Sequence, residues 1–569
     1  MSTIDFDIKG VGAILSSGKL TIPSYQRSYS WGEQQVKEFY EDIYSAQTIP
    51  GAEYFLGGIN LQEKANGILE VIDGQQRLTT AVLFFAAVRD ELRTRAGTEP
   101  DDRAKVEHNA SAEKISKDFL SDVDRWASVA RTPKLSVGNT DKDFFESAFL
   151  EILTGDEPEL PIPTKPSHAK LQGAYDTIGS RLRELDIETI RCLTDFLDDR
   201  VKVFLTKFKE STNPFEVFET LNNRGITLSL ADRIKNHLLG KSQTRMNSVS
   251  ADWGNVVAIL ESESFRRDDE ILDTFLRHFW MSQTGAVVRS DALFEDFKKR
   301  VTSPEKAVST AKAMKVSAKH YRDLLRPSKT AWQAFGHSVC GDIEFLNILG
   351  AKQIRPVILA MLSNFKVAEV ARSLSNLTST AVRIVVSGRA GSGSIEKWYA
   401  SIAHRISEKK ITNSNGLAQA LLEKLPTDVQ FEQSFASYPL TKMSIARRLL
   451  AAIEEYESQP AGTLVVTPNI DEVNVEHVLP KKPTTDSRWL TDFPDTEAYV
   501  HRLGNMVLLQ AKVNRRIANL DFAHKRQRLI ACDYQTTKSV GQCLNWTPAE
   551  LEKRQLEMAK SAIKIWKVG

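Results

Sequence analysis

The amino-acid sequence predicts an α+β protein in which helices predominate. Three strand-like segments lie in the N-terminal half, at Tyr54–Gln62, Ile68–Ile72 and Arg200–Phe208, and a fourth, Val473–Val478, lies near the C-terminus. Between about residues 241 and 455, apolar residues recur at helical spacing almost throughout. We therefore expect strands near the two ends of the chain and a helical region between them.

The composition indicates a globular protein of a reducing compartment. Lys and Arg number 75 against 73 Asp and Glu, so any nucleic-acid surface must be a local patch. The four cysteines form no CxxC pair, which argues against a cysteine zinc site and a disulfide scaffold. The first ten residues carry acids and lack an apolar run, which argues against a signal peptide, and no uncharged apolar run reaches membrane-spanning length. We expect a cytoplasmic protein without membrane contact.

The length of 569 residues indicates two to four domains. We place the boundaries where the patterns change, which gives domains at 1–240, 241–440 and 441–569. The middle domain is expected to be a helical linker, because its apolar residues recur at helical spacing.

A segment dense in aromatic, amide and guanidinium groups spans Pro23–Trp31. Tyr25, Gln26 and Arg27 suit stacking on a base or sugar and contact with phosphate. Ser30-Trp31-Gly32-Glu33 has the capping-box pattern that starts a helix. The alternative is that the aromatic residues only fasten this helix to the core, which is their commoner use.

A strand–turn–helix corner is predicted at Val71–Thr80. Asp73-Gly74 makes a tight turn because glycine accepts positive φ without steric cost. Backbone N–H groups at the helix start favour an anion, Arg77 adds a bidentate fork for phosphate, and Asp73 is suited to hold a metal or position water. The alternative is a capped turn with Arg77 in a salt bridge, and the stretch alone does not decide between the two. The chain has no GxxxxGK[ST] loop.

A second dense stretch runs from Phe215 to Asn236. Gly225 is placed to end one helix, and the turn before it exposes Asn222 and Arg224, which are fit for phosphate. An ordinary helix–turn–helix is the alternative, and the stretch taken alone favours it.

The C-terminal region carries a candidate metal-dependent nuclease site. Glu476 and His477 are adjacent on a strand, so their side chains point to different faces. Glu476 is suited to bind a divalent cation with Asn514 as a second ligand, while His477 takes a proton from water and Asn505 orients its imidazole. This is the layout of a one-metal ββα nuclease. The alternative is a core histidine.

Basic residues cluster around this candidate site. The members are Lys512, Arg515, Arg516, Lys525, Arg526 and Arg528. Such a cluster would hold a DNA backbone through phosphate contacts that carry no sequence information, with Lys512, Arg515 and Arg516 as the chosen contacts. The alternative is a solvated basic face.

Taken together, these motifs resemble those of the GmrSD-type restriction proteins. Similarity to their ParB/sulfiredoxin-like N-terminal domain lies in Pro23-x-Tyr25-Gln26-Arg27-x-Tyr29-x-Trp31, Ile72-Asp73-Gly74-Gln75-Gln76-Arg77-Leu78-Thr79-Thr80 and Phe218-x-x-x-Asn222-x-Arg224-Gly225. Similarity to their C-terminal HNH (His-Me finger, ββα-metal) nuclease domain lies in Glu476-His477-x-x-Pro480, Gly504-Asn505 and Asn514. Glu replaces the Asp of many HNH sites and Asn the last His, and both substitutions keep metal-ligand chemistry. The related SspE proteins, which act on phosphorothioate-modified DNA, share the arrangement.

The resemblance implies an NTP-regulated, metal-dependent DNA endonuclease of type IV-like restriction, which cuts or nicks modified phage DNA in antiviral defence. Its N-terminal domain would sense DNA and bind and hydrolyse a nucleoside triphosphate. The implied NTP contacts are Gln26, Arg27, Asp73, Gly74, Gln75, Gln76, Arg77, Asn222 and Arg224, with Asp73, Gln75 and Arg77 also catalytic. Tyr25 would contact DNA, and Mg²⁺ or Mn²⁺ would bind Glu476 and Asn514.

Two other functions use the same residues. One is a nucleotide-switched DNA-binding regulator without nuclease activity, which the intact Glu476, His477, Asn505 and Asn514 argue against. The other is an abortive-infection toxin that cleaves RNA by the same chemistry. The sequence leaves open the DNA modification, the preferred NTP and whether the chain forms a homo-oligomer.

Overall fold

Strands occupy two regions of the chain and helices most of the remainder, which confirms the helix-rich α+β class. The computed structural model describes residues 4–23, 26, 28–64, 67–123, 131–138, 141–150, 161–210, 229–260, 271–389, 393–458, 466, 469, 471–484, 487–517 and 519–569. The chain forms two compact units, Met1–Leu276 with Ser290–Lys319, and Arg277–Arg289 with His320–Gly569. The three-domain division stays a prediction.

A mixed six-stranded sheet forms the base of the first unit. Its strands are β1 (Ile4–Gly10), β2 (Leu20–Thr21), β3 (Tyr54–Glu63), β4 (Leu69–Asp73), β7 (Leu135–Ser136) and β8 (Val201–Phe208), while β5 (Ser121–Val123) and β6 (Arg131–Pro133) pair separately. The order is β1-β8-β3-β4-β2-β7, with β1–β8 and β3–β4 antiparallel and the other three pairs parallel. The three strands predicted in this region are confirmed.

Helices make up most of the remainder of the first unit. They are α1 (Val11–Leu15), α2 (Glu33–Gln47), α3 (Gln75–Thr98), α4 (Asp102–Ile115), α5 (Lys142–Phe145), α6 (Pro166–Arg183), α7 (Ile187–Asp195), α8 (Leu230–Ser242), α9 (Met246–Leu260), the first part of α10 (Ile271–Thr284), α11 (Ser290–Arg300) and the first part of α12 (Pro304–Leu325).

Helix α3 is the centre of this unit. Every residue from Leu78 to Arg89 is buried, so the helix is covered on all sides, as expected of a core helix. Phe85 stacks on Phe119 with ring centroids 4.0 Å apart. Burial of each such large apolar side chain stabilises the fold by about 2 kcal/mol. The corner at the start of α3 is therefore held by rigid elements on both sides.

In its described ranges, the second unit is helical apart from one pair of strands. Its helices are the last part of α10, the last part of α12, α13 (Lys329–Trp332), α14 (Val339–Leu349), α15 (Arg355–Asn364), α16 (Val367–Val386), α17 (Gly393–Ser407), α18 (Ser414–Leu422), α19 (Asp428–Ser437), α20 (Met443–Glu457), α21 (Trp489–Asp492), α22 (Thr496–Val500), α23 (Ala511–Ile517), α24 (Phe522–Ile530), α25 (Gln535–Gln542) and α26 (Pro548–Ile565). None of the helices in the described ranges has the length and apolar content needed to cross a membrane.

Strands β9 (Val473–His477) and β10 (Met506–Gln510) pair antiparallel, with His477 opposite Met506, and α23 follows β10 directly. The interior of β10 is fully buried from Met506 to Leu509. This strand pair followed by a helix carries the residues that the sequence predicts for the nuclease site.

The last helix fixes the approach to β10. Thr547 caps α26 and Pro548 occupies its first turn, as predicted. Arg554 donates to the carbonyl oxygens of Gly504 and Met506, and Gln555 accepts from the Gly504 N–H at 3.2 Å. Because α26 lies so close, a Cβ on residue 504 would come within 2.8 Å of the backbone of this helix, which explains the glycine.

Candidate functional site

The predicted turn at Asp73-Gly74 is present and requires glycine. Gly74 has a φ of 90°, in the left-handed region, and caps the N-terminus of α3. A Cβ there would lie 2.8 Å from Cγ1 of Ile59 and 3.1 Å from the oxygen of Gly58. No side chain caps α3, so its first-turn N–H groups form a polarised helix end suited to an anion.

Asp73 lies at this helix end in a mixed electrostatic environment. Burial raises the pKa of its carboxyl group, and the nearby Asp232 raises it further. The Arg77 guanidinium, the Gly74 N–H and the Lys235 ammonium oppose this rise. The corner thus brings a partly desolvated carboxylate close to two cations.

Arg77 lies across the glycines of β3. Its Nη1 donates to the oxygen of Gly58 at 3.1 Å, and a Cβ on Gly57 would lie 3.2 Å from its Cζ. Among the described residues, Arg77 therefore bonds a backbone carbonyl. The alternative prediction, a salt bridge, would have required a carboxylate partner. The guanidinium keeps further N–H groups for a ligand.

The Gln76 side chain bonds the backbone of residues 28–31, whereas it was predicted to contact the NTP. Its Oε1 accepts from the N–H groups of Ser30 and Trp31 at 2.8 and 3.4 Å, and its Nε2 donates to Ser28 oxygen at 3.3 Å. Its side chain is buried. The amide fixes the backbone of the aromatic segment, so it is a positioning residue and not a phosphate contact.

The same contacts correct the predicted start of α2. The helix begins at Glu33 with Gly32 as its cap, two residues later than the predicted Ser30 cap. Gln35 accepts from the Gly32 N–H at 2.9 Å, whereas the Ser30 N–H is bound by Gln76. The Ser30 N–H is thus bonded to a residue outside the helix, and Gly32 takes the cap position that the local pattern predicted for Ser30.

Gln26 and Lys235 meet beside the corner. Gln26 donates through Nε2 to Ile72 oxygen at 2.8 Å and accepts from Lys235 Nζ at 3.0 Å. The Lys235 side chain is only 7% exposed and lies 3.6 Å from an oxygen of Asp232. The sequence assigned no role to Lys235, although its spacing from Asp232 on α8 was a signal for an internal pair.

Gln75 lines a small cavity next to the corner together with Gln26 and Asp141. Asp141 is buried and accepts from Ser167 Oγ at 2.6 Å and from the Tyr29 N–H at 3.4 Å. Sequence reasoning missed Asp141, because nothing in its local pattern indicates these partners. Tyr25, Arg27, Asn222 and Arg224 lie outside the described residues, so their predicted contacts stay predictions.

Glu476 is paired with a lysine in the second unit. Lys525 Nζ lies 2.6 Å from Glu476 Oε1 and 2.7 Å from His477 oxygen, and its side chain is completely buried. Burial raises the pKa of Glu476 and lowers the pKa of Lys525, while each charge partly offsets the change in its partner. The assignment of Lys525 to a DNA-binding surface was wrong, because its ammonium group faces inward.

His477 is buried and electrically neutral near pH 7. Its pKa falls to about 4, first because of burial and then because of Lys481, His501 and Lys525. In the described part of the chain, its Nε2 is buried without a hydrogen-bond partner. A neutral imidazole with an unused ring nitrogen is what a general base requires. The Nδ1 of His501 is likewise buried without a hydrogen-bond partner among the described residues. Sequence reasoning missed this histidine.

Asn505 has a different role from the predicted contact with the imidazole. Its side chain accepts from the Leu479 N–H at 2.7 Å and donates to Leu479 oxygen at 2.9 Å and Val500 oxygen at 3.2 Å. Trp546 Nε1 also lies 3.4 Å from its Oδ1. The fully buried amide therefore fixes the loop that follows His477 and acts on the histidine through the backbone.

Asn514 extends from α23 towards β9. Its Nδ2 donates to Asn474 Oδ1 at 2.5 Å and to Val475 oxygen at 3.3 Å. Asn474 and Glu476 lie on the same face of β9 because side chains alternate along a strand. An amide oxygen and a carboxylate are hard donors that suit Mg²⁺, which keeps several water ligands. Among the described residues no group of three His, Cys, Asp or Glu side chains is placed to bind a metal.

The basic residues around this site divide into exposed and engaged groups. Lys512, Arg515 and Arg528 are exposed, whereas Arg526 donates to Gly541 oxygen at 2.9 Å. The Arg516 side chain lies outside the described part of the structure. The exposed members remain available for phosphate contacts.

Two family models match the chain. Residues 11–239 match the GmrSD restriction endonuclease N-terminal domain, and residues 425–561 match the GmrSD restriction endonucleases C-terminal domain. The first match includes the Asp73 corner and the second includes both β9 and β10. No curated protein matches the chain.

Proposed function

Because the chain belongs to the GmrSD restriction endonuclease family, whose domains imply a DNA endonuclease, we propose that it is a nucleotide-regulated, metal-dependent enzyme that cuts modified foreign DNA. The observation that carries this proposal is the buried His477 imidazole, whose pKa is lowered to about 4 and whose Nε2 has no hydrogen-bond partner among the described residues, next to Glu476 in the sequence of β9. We assign a ParB-like fold to the N-terminal domain and a ββα-metal fold to the strand pair with α23.

His477 acts as the general base in this proposal. Its unpartnered Nε2 takes the proton from the attacking water, and its low pKa keeps the imidazole unprotonated over the whole physiological range. Glu476 and Asn514 would hold Mg²⁺ or Mn²⁺, and the ion would supply positive charge to the scissile phosphate and the leaving oxygen. Asn505 keeps the loop after His477 in place, and Lys512 and Arg515 contact flanking phosphates.

The Asp73 corner binds a nucleoside triphosphate in this proposal. The N-terminus of α3, Arg77 and Lys235 supply positive charge for the phosphates, and Asp73 positions water or a metal. Gln26 and Gln75 lie beside this charge, while Gln76 holds the segment that carries Gln26. Nucleotide state would then regulate cutting by the C-terminal site.

Cleavage of a panel of modified and plain phage DNAs, with and without Mg²⁺ and each NTP, tests the proposal. We expect the wild-type protein to cut modified DNA in a metal-dependent manner and to respond to at least one NTP. His477→Ala should abolish cutting and retain NTP hydrolysis, because the base is needed only for the phosphodiester. Equal loss of both activities, or cutting that persists in EDTA, would contradict the proposal.

A further inference from the structure

Lys525 provides a single buried cation for both residues of the Glu476-His477 pair. Its Nζ bonds the carboxylate of the first at 2.6 Å and the backbone oxygen of the second at 2.7 Å. The lysine side chain is 0% exposed and the Glu476 side chain 13% exposed, so water barely screens their attraction. A lysine that served only to attract DNA would direct its ammonium to solvent instead.

We propose that Lys525 is the resident cation of the nuclease site, and that a divalent ion binds Glu476 only by displacing its ammonium group. This inference rests on the metal dependence proposed above. Glu476 Oε1 is bonded to the ammonium, and a carboxylate oxygen held by a buried ammonium is a poor ligand for a second cation.

The consequence is that the free protein binds metal weakly. An incoming divalent ion must replace a charge-assisted hydrogen bond, which opposes binding. DNA phosphate supplies additional oxygen ligands and negative charge, so metal and DNA bind together more readily than metal alone. Lys525 is in this sense a positioning residue, since it acts through Glu476 and does not touch the reacting atoms.

Calorimetric titration of the DNA-free protein with MnCl₂ tests this inference. Lys525→Gln keeps a hydrogen-bond donor for Glu476 and His477 but removes the charge, so we expect Mn²⁺ to bind about tenfold more tightly than to wild type, or more. Lys525→Arg keeps the charge and should bind as weakly as wild type. Lys553→Gln, on the exposed face of α26, is the control for loss of one positive charge and should leave Mn²⁺ binding unchanged.

An equal or weaker affinity in Lys525→Gln would overturn the inference. Loss of the added affinity in a Glu476→Gln, Lys525→Gln double variant should locate the metal at Glu476, and its retention would also count against the inference. Should Lys525→Gln not fold, lysine acylation of the wild type decides: the Lys525 peptide should become reactive as Mn²⁺ is added, and constant protection would contradict displacement.

The metal dependence of the wild type separates this inference from the proposed function. If wild-type cutting needs no metal, the proposed function fails. If cutting needs metal and Lys525→Gln binds Mn²⁺ no better than wild type, only the role of Lys525 fails.

Discussion

Lys235 Nζ lies 3.0 Å from Gln26 Oε1, although 209 positions separate the two residues in the sequence. This contact joins α8 to the segment before α2 directly beside Asp73, because Gln26 also bonds the oxygen of Ile72. The family model covers both residues within one domain. The NTP site proposed here is therefore assembled by the folded domain and not by one motif.

Lys235→Met should lower NTP hydrolysis about a hundredfold, because it removes a buried cation from the proposed phosphate site. Steady-state phosphate release measures the effect. Lys209→Met, at an exposed lysine after β8, is the matched control and should retain wild-type turnover. Wild-type turnover in Lys235→Met would contradict this role.

Gly74→Ala should destabilise the first unit by roughly 2 kcal/mol or more, because the new Cβ meets Ile59 in a left-handed backbone conformation. Urea unfolding measures the loss. Gly97→Ala, near the end of the same helix, has no heavy atom within 4 Å of the added Cβ and should be neutral or stabilising by up to about 1 kcal/mol. Similar losses in the two variants would refute the argument from φ.

The pKa of His477 predicts an acid-tolerant nuclease. The neutral base predominates above the folded pKa of about 4, so kcat/KM for nicking should stay flat down to about pH 5 and fall below it. Lys481→Gln removes a charge that lowers this pKa and should move the acid limb upward. An acid limb near 6.5 in the wild type would show that burial does not control this histidine.

The same histidine makes folding stability depend on pH. Its folded pKa lies below the unfolded value of 6.5, so below pH 6.5 the unfolded chain binds more protons than the folded one. Its contribution to the free energy of unfolding is complete above pH 6.5 and is lost as pH falls towards 4. In His477→Gln this part of the pH dependence should vanish from unfolding curves, and an unchanged curve would contradict it.

Asn505→Ala should cost about 3 kcal/mol and abolish cutting, because the buried amide leaves the Leu479 N–H and oxygen and the Val500 oxygen without their partner. Urea unfolding and plasmid nicking measure the two effects, and NTP hydrolysis should persist. Asn519→Ala is the matched control, since this exposed amide makes one bond to Lys482 oxygen and should cost under about 0.5 kcal/mol. Retained nicking in Asn505→Ala would exclude a positioning role.

Features fixed by neighbouring residues were predictable from the sequence. The turn at Gly74, the flanking strands and the cap at Thr547 depend on local backbone preferences, and the structure has each of them. The sequence also placed Glu476 and His477 on a strand end, where β9 has them.

Features fixed by distant partners were not predictable. Lys525 lies among basic residues in the sequence, and nothing in that spacing shows that a carboxylate 49 positions away draws its ammonium inside. Gln76 likewise has the pattern of a ligand contact, but its amide is occupied by a backbone segment that it meets only in the folded domain. Spacing thus identifies residue types suited to a chemistry, and packing decides which of them are free to perform it.

The hydrogen bonds that Arg554 and Gln555 make with Gly504 and Met506 have a consequence during protein synthesis. Strand β9 leaves the ribosome well before α26, so a nascent or prematurely terminated chain carries His477 without the helix that fixes its partner strand. The contacts that fix the start of β10 therefore form only after α26 has been synthesised.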